Sequence, residues 1–259
     1  MTNTPHPSLS AINDFLSNEF VTSRYPDSEQ GGIYYPSERP VRRIGLSLDP
    51  FYNLPAWIDE NQLDALWLHR PWQLDLGKLP LGIGILAHHL PFDETLTIGY
   101  NERLAKQLGA TGALMPLGYK QGMNGAGEIL PERPIGMVID VSPEQEFDVL
   151  LDAIKTLFGG YDRAEAGLGL SGWQADSRRI AIVGAMNDTL IRESAEKGAH
   201  LYVTGAYRKP AQQAVNETGI AVVAVGHNRV EEWGLQALAD LLCERWPIEC
   251  VLHHQPIKA

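Results

Sequence analysis

Cysteine is nearly absent from this chain: only Cys243 and Cys250 occur among its 259 residues. Two cysteines exclude the disulfide framework of a small secreted protein, and no CxxC pair offers a structural zinc site. Long hydrophobic runs are also absent. The longest, Leu79–Ala87 and Ile220–Val225, are about half of what a membrane span requires.

The chain has no excess of positive charge, since its formal net charge is -11. This balance argues against a nucleic-acid-binding or anionic-membrane surface. The segment Met1–Ser10 has no basic region followed by an apolar one, so no secretory signal is predicted. We therefore expect a cytoplasmic protein without nucleic-acid or membrane partners.

What the chain does contain is enough apolar sequence, 44% of its residues, to bury a sizeable core. Strands and helices are predicted to alternate with short connections, most regularly in the last third, and this alternation indicates an α/β fold with a largely parallel sheet. The predicted strands are Val41–Leu48, Asp64–His69, Ile83–His88, Ile135–Val141, Arg179–Val183, Leu201–Thr204, Ile220–Val225 and Ile248–Leu252. The predicted helices are Ser8–Phe20, Asn101–Leu108, Pro143–Phe158, Asp188–Lys197, Ala211–Glu217 and Glu231–Glu244. The Gly- and Pro-rich segment Gly118–Pro134 is predicted to be a hinge or long loop.

Potential metal ligands follow two of the early strands. His69 ends one strand, and His88, His89 and Asp93 follow another. Strand carboxyl ends are where open α/β sheets bind ligands, and imidazole with carboxylate suits a first-row divalent metal. Because adjacent strand residues point to opposite faces, at most one of the adjacent histidines should face the site. Pro91 leads us to expect a turn rather than a helix between His89 and Asp93.

A third pair of candidates follows the strand Ile220–Val225. His227 comes after Gly226, and Glu231 lies four residues further on, at the predicted start of the last helix. Glu231 could equally be an acid favoured by the helix dipole. Three strand ends that each carry a His or an acid are nevertheless stronger evidence for a metal site than any one of them alone.

These segments resemble the Nif-three-like dinuclear metal-centre family, whose members are often labelled GTP cyclohydrolase type two homologues. The family's His-His-Pro corresponds to His69-Arg70-Pro71, and its His-Thr-Asn-Leu-Asp to His89–Asp93. Its Gly-His-x-x-x-Glu corresponds to Gly226–Glu231, and Ala199–Gly205 is similar to the family's Ala-Asp-x-x-Val-Thr-Gly.

The resemblance implies two related, intertwined α/β lobes with mixed, largely parallel sheets flanked by helices. The chain would then be one metal-binding unit, 1–259, with pseudo-repeats of about 1–125 and 126–259 and no inserted central domain. The resemblance also implies a hollow homohexamer, for which Trp57, Trp67, Trp72 and Trp173 are candidate interface anchors.

Arg70 is the sharpest departure from the family pattern, because it replaces the second His, which ligates one of two metals there. A guanidinium has no free lone pair for a metal, so one or two divalent transition metals per chain (Fe, Zn or Mn) are expected. Arg70 could take the place of one metal and pair with Asp93 or Glu231, or it could face away and pair with a surface acid.

Two functions are compatible with this pattern. The first is a metal-dependent hydrolase with a small-molecule substrate, for which the family label implies a purine nucleotide. One metal would be held by His69, His227 and Glu231, and Asp93 with Glu231 would serve a second position if that position is filled. The second function is a non-catalytic metal-binding ring or scaffold protein.

Overall fold

The computed structural model describes residues 6–142, 144, 146–166 and 178–254. The chain forms two compact units, and each contains one sheet. Unit 1 consists of Met1–Phe92, Gly122–Leu130 and Gly234–Ala259, and unit 2 of Asp93–Gln121 and Pro131–Trp233. Neither unit is one continuous segment. The division of the chain into two pseudo-repeats of about 1–125 and 126–259 stays a prediction.

Helices and strands alternate along most of the described chain. The α-helices of the described residues are α1 (Leu9–Glu19), α2 (Leu54–Glu60), α3 (Leu90–Leu96), α4 (Glu102–Gln107), α5 (Phe147–Phe158), α6 (Asp188–Glu196), α7 (Gln212–Thr218) and α8 (His227–Arg245). The strands are β1 (Gly32–Tyr35), β2 (Arg43–Ser47), β3 (Ala65–Leu68), β4 (Gly84–Ala87), β5 (Met115–Lys120), β6 (Arg133–Val141), β7 (Arg163–Glu165), β8 (Arg178–Val183), β9 (Leu201–Thr204), β10 (Ala221–Ala224) and β11 (Glu249–Leu252). None of the helices within the described ranges is long and apolar enough to cross a membrane.

The sheet of unit 1 has five strands in the order β1-β4-β3-β2-β11. The strands β4, β3, β2 and β11 run parallel, and β1 is antiparallel at one edge. Leu66 and Leu68 of β3 pack with Leu54 and Ile58 of α2 in one apolar cluster. Helix α1 begins after Ser8, whose side chain accepts a hydrogen bond from the Ala11 amide, as expected of an N-cap.

The sheet of unit 2 has six strands in the order β5-β6-β8-β9-β10-β7. Strands β8, β9 and β10 run parallel, whereas β5, β6 and β7 pair antiparallel. Alternate residues of β8 enter two different core clusters, Ile180 and Ile182 in one and Ala181 and Val183 in the other. Both faces of this strand are therefore buried, which explains its continuous apolar sequence.

The predicted α/β class with mixed sheets is confirmed, and it is the sheet of unit 1 that is largely parallel. Five elements, α2, α3, β1, β5 and β7, were not predicted from the sequence. The last helix begins at His227 rather than Glu231. Helix α5 begins at Phe147, and Pro143, its predicted first residue, lies outside the described residues.

The tryptophans proposed as interface anchors have different environments. Trp67 is completely buried inside unit 1, so its choice as an anchor was wrong: the apolar run of β3 places it in the core. Trp72 is 59% exposed and Trp57 is partly buried. Trp173 lies outside the described residues.

Candidate metal centre

His69 directly follows β3 and is completely buried. Its backbone amide donates a hydrogen bond to the Ser47 carbonyl at 3.1 Å, which extends the pairing of β3 with β2. Its ring lies nearly parallel to that of Trp67, with centroids 6.1 Å apart, and contacts Phe92 at 5.0 Å. The backbone and two aromatic rings thus determine where this imidazole lies.

One nitrogen of the His69 ring faces a carbonyl group. Nδ1 lies 3.4 Å from the His88 carbonyl oxygen. A proton on Nδ1 can be donated to that oxygen, and Nε2 then keeps the lone pair that a metal requires. Histidine ligands of metals in proteins generally have such a partner on the second nitrogen, so the surroundings of His69 suit a ligand.

The neighbouring histidines His88 and His89 have different environments. His88 is buried: its Nδ1 accepts a hydrogen bond from Trp67 Nε1 at 3.3 Å, and its ring meets Phe20 edge-on. Burial lowers the pKa of His88 to about 4, so the ring is neutral at pH 7. The ring of His89 lies 4.7 Å from that of His69 and contacts Trp72 at 5.1 Å. Of the two neighbours, His89 is the one that joins His69.

Asp93 lies in the first turn of α3, where a turn without a helix was expected. That expectation was wrong because Pro91 is the second residue of α3. Near a helix start the missing amide hydrogen removes no intrahelical bond, so proline is tolerated there. The Thr97 hydroxyl donates to the Asp93 carbonyl at 2.6 Å. His89 comes immediately before α3, so the helical turn brings Asp93, four residues on, to its side.

His69, His89 and Asp93 form a group whose potential ligand atoms all lie within 4.8 Å of one another. Donors around one tetrahedral ion lie about 3.4 Å apart, given metal–ligand distances of about 2.1 Å. The largest separation of 4.8 Å exceeds this spacing by about 1.4 Å, so small side-chain movements would bring the three donor atoms around one ion. Two imidazoles and one carboxylate form a donor set used by zinc and non-haem iron sites, with positions left open for other ligands. The residues therefore fit a divalent transition metal.

His227 and Glu231, the remaining predicted ligands, are neighbours at the start of α8. His227 Nε2 lies 3.0 Å from Glu231 Oε1, with Glu231 buried and His227 largely exposed. Because α8 begins at His227, the two residues are one helical turn apart. Gly226, with φ +109, allows the backbone to turn from β10 into the helix. Their grouping with His69 around one metal stays a prediction.

Arg70 makes an ion pair that the sequence analysis did not name. Its Nε lies 2.7 Å from Asp49 Oδ1, and its Nη2 lies 3.1 Å from Asp49 Oδ2. Asp49 is partly exposed, so it matches the surface acid of the second alternative for Arg70. Pairing of Arg70 with Asp93 or Glu231 stays a prediction.

A groove of about 820 Å³ in unit 1 is lined by Arg70, Asp49, Trp72 and Lys78, among others. Trp72 also contacts His89 of the metal group, so the groove and the group share this side chain. Sequence reasoning gave Trp72 no part in the site. The available signal was its position two residues after Arg70, in the loop that follows β3.

Comparison with known proteins relates this chain to one family. The family described as Duf34/NIF3 (NGG1p interacting factor 3) matches residues 79–257. A Pyrococcus abyssi protein named GTP cyclohydrolase 1 type 2 homolog is 24% identical over 262 residues, which covers 95% of this chain and 97% of that protein.

Two solved structures have the same fold. One is the protein ybgI, of unknown function, with a TM-score of 0.72 and 18% identity over 98% of this chain and 100% of its own. The other is TTHA1606 from Thermus thermophilus, with a TM-score of 0.67 and 21% identity over 96% and 98% of the two chains. The family match covers more than half of the sequence, and the chain therefore belongs to the Duf34/NIF3 family.

Proposed function

We propose that this protein is a metal-dependent hydrolase whose metal is held by His69, His89 and Asp93. The observation that carries the proposal is the convergence of these three donors, all within 4.8 Å. The sequence analysis assigned the first metal to His69, His227 and Glu231 instead. The proposal now gives His89 and Asp93 the primary role, and His227 and Glu231 are kept as predicted further ligands.

The metal and the residues of such a site would have different roles. A divalent metal, when bound, supplies Lewis acidity and lowers the pKa of a water that it binds. His69, held by the backbone and by aromatic rings, fixes one donor in a buried position. His89 and Asp93 are only partly buried, so the group is accessible from one side. Three protein donors leave room for a water and a substrate atom.

The substrate is proposed to lie in the groove lined by Arg70, Trp72 and Lys78. Trp72 contacts His89 and exposes more than half of its surface, so a flat ring can stack on it. Arg70 and Lys78 line the groove as ion pairs with Asp49 and Asp75, and their N–H groups can donate hydrogen bonds to oxygen atoms of a substrate. These features support a purine nucleotide as the substrate class, opened by hydrolysis of its ring, which accords with the name of the Pyrococcus abyssi relative. A cytoplasmic location and six-chain assembly belong to the same proposal.

The test compares ligand variants with matched controls. His89→Ala and Asp93→Ala are each expected to remove most of the metal found by elemental analysis of untagged protein. His6→Ala removes an exposed histidine, and Asp148→Ala removes an exposed acid from the first turn of α5, as Asp93→Ala does from α3. Both controls should keep the wild-type metal content.

Turnover decides between the enzyme and the scaffold. Hydrolysis of compounds in a panel of nucleotides and phosphoesters should rise and fall with metal content across the variants. Metal that binds as expected without any turnover would favour the non-catalytic ring or scaffold. Metal retained by both His89→Ala and Asp93→Ala would reject the proposed ligands.

A further inference from the structure

The two cysteines of the chain are in contact with each other. Cys243 lies near the end of α8 and Cys250 in β11, and their Sγ atoms are 3.7 Å apart. The sulfurs of a disulfide are separated by about 2.05 Å, so an approach of less than about 2 Å would join them. Because the sequence contains no third cysteine, neither thiol has a competing partner within the chain.

The two thiols differ in their access to solvent. Cys243 is an exposed residue and Cys250 a partly buried one. The Cys250 Sγ lies 3.8 Å from the Ala239 carbonyl oxygen, towards which its S–H can point. Burial, together with the nearby Cys243, raises the pKa of Cys250. Cys243 is therefore the thiol that a dissolved oxidant reaches first, and Cys250 is the less accessible of the two.

We propose that Cys243 and Cys250 are a redox modification site that forms a reversible disulfide within the chain. The oxidant is a small-molecule disulfide such as oxidised glutathione. The Cys243 thiolate attacks one of its sulfurs, which forms a mixed disulfide and releases one glutathione thiolate. The Cys250 sulfur then attacks the Cys243 sulfur, its proton passes to solvent, and the second glutathione leaves. Two protein thiols are oxidised as one glutathione disulfide is reduced to two thiols.

The disulfide would join an edge strand to a helix of the same unit. Strand β11 lies at the edge of the sheet and pairs with β2, where Cys250 is opposite Ile44. An edge strand is held by hydrogen bonds on one side only. Bonding Cys250 to Cys243 in α8 adds a second attachment, so local opening of β11 should become rarer. Slower amide hydrogen exchange in β11 is the expected sign of oxidation.

The experiment treats the folded, full-length protein with oxidised glutathione and then traps the remaining thiols. Wild-type protein should lose both free thiols, stay unmodified by glutathione and become lighter by two hydrogen atoms. Trypsin cleaves after Arg245, between the two cysteines. The expected product is therefore a pair of linked peptides that separates on reduction. Amide exchange in β11 should be slower in this oxidised sample.

Single serine variants test the order in which the two cysteines react. Cys250→Ser should stop at a stable glutathione adduct on Cys243, because the second thiol is missing. Cys243→Ser should react much more slowly, because the remaining thiol is shielded. The proposal is overturned if wild-type protein keeps two free thiols, accumulates the glutathione adduct, or forms disulfides between chains instead.

Discussion

Arg70 and Asp49 form a two-pronged ion pair, with contacts of 2.7 Å and 3.1 Å between matching nitrogen and oxygen atoms. Each residue lies two positions after the end of a parallel strand, Asp49 after β2 and Arg70 after β3. The pair therefore lies at the same sheet edge as His69. A two-pronged pair restricts the guanidinium more than a single contact does. A guanidinium paired with Asp49 thus stands at position 70, where the resemblance to the family would lead us to expect a second histidine.

We predict that Arg70→His raises the metal content from about one to about two ions per chain in excess metal. The substitution restores an imidazole at a position where a guanidinium cannot ligate. It also frees the Asp49 carboxylate, which becomes available to the added cation. Elemental analysis after removal of loosely bound metal measures the change.

The matched control is Arg43→His, which removes another arginine of unit 1 that pairs with an acid, Glu249, at 2.8 Å. This variant should keep the wild-type stoichiometry, since Arg43 lies at the opposite end of its strand from Asp49. An unchanged metal content in Arg70→His would show that Arg70 does not occupy the position of a second metal.

The part of the site that can be predicted from the sequence is clearest around His69 and His89. Short apolar runs that end in histidine predicted β3, β4 and the sheet edge at which these residues meet. Strand periodicity left His88 and His89 as alternatives, and only the family resemblance pointed to His89; in the structure the difference depends on the hydrogen bond from Trp67 to His88. Local sequence does not predict a contact between side chains on different strands.

Two other features escaped prediction for different physical reasons. Helix α3 was taken for a turn because Pro91 was treated as a helix breaker, although proline is tolerated in a first turn. The Arg70–Asp49 pair joins residues 21 positions apart, so only the parallel pairing of β2 and β3 brings them together. In the last third, by contrast, regular apolar strands and Asn187 capping α6 produce elements close to those predicted.

Tyr202 offers a test of stability in unit 2. Its side chain is buried in β9, and its hydroxyl donates to the Ala185 carbonyl at 2.6 Å. We predict that Tyr202→Phe lowers the free energy of unfolding by about 1 kcal/mol at pH 7.5, the usual net value of such a bond. Urea unfolding measures the loss. Tyr52→Phe, which removes an almost fully exposed hydroxyl, should leave stability unchanged.

Tyr202 should also contribute to instability in alkali. Burial, chiefly, raises the pKa of its phenol in the folded state, whereas the unfolded value is about 10. Above about pH 10 the unfolded chain loses this proton while the folded chain keeps it, so stability falls as pH rises. The relevant range is roughly pH 9.5 to 11, around the unfolded tyrosine pKa. Within it, the free energy of unfolding should decrease less steeply in Tyr202→Phe than in wild type. Parallel curves for the two proteins would contradict this.

We predict that the purified protein is a homo-oligomer, with six chains expected from the resemblance to its family. Light scattering at micromolar concentration should give a mass well above that of one 28.6 kDa chain. Trp72, the most exposed of the described candidate anchors, is the residue to vary: Trp72→Ala should weaken association if it lies in an interface. A wild-type monomer at these concentrations would defeat the prediction.

Replacing both His227 and Glu231 by alanine is predicted to remove metal from the protein. The His227 ring lies 3.0 Å from the buried Glu231 carboxylate, so an imidazole and an acid lie side by side, and both are donor types that divalent metals bind. Gln236→Ala with Asp240→Ala is the matched control, because it removes another side-chain pair one turn apart in α8. Alanine favours a helix in both variants, and circular dichroism should show equal helix content. Elemental analysis should find metal in the control and little in the first variant. Full metal content in both would assign the metal to His69, His89 and Asp93 without help from α8.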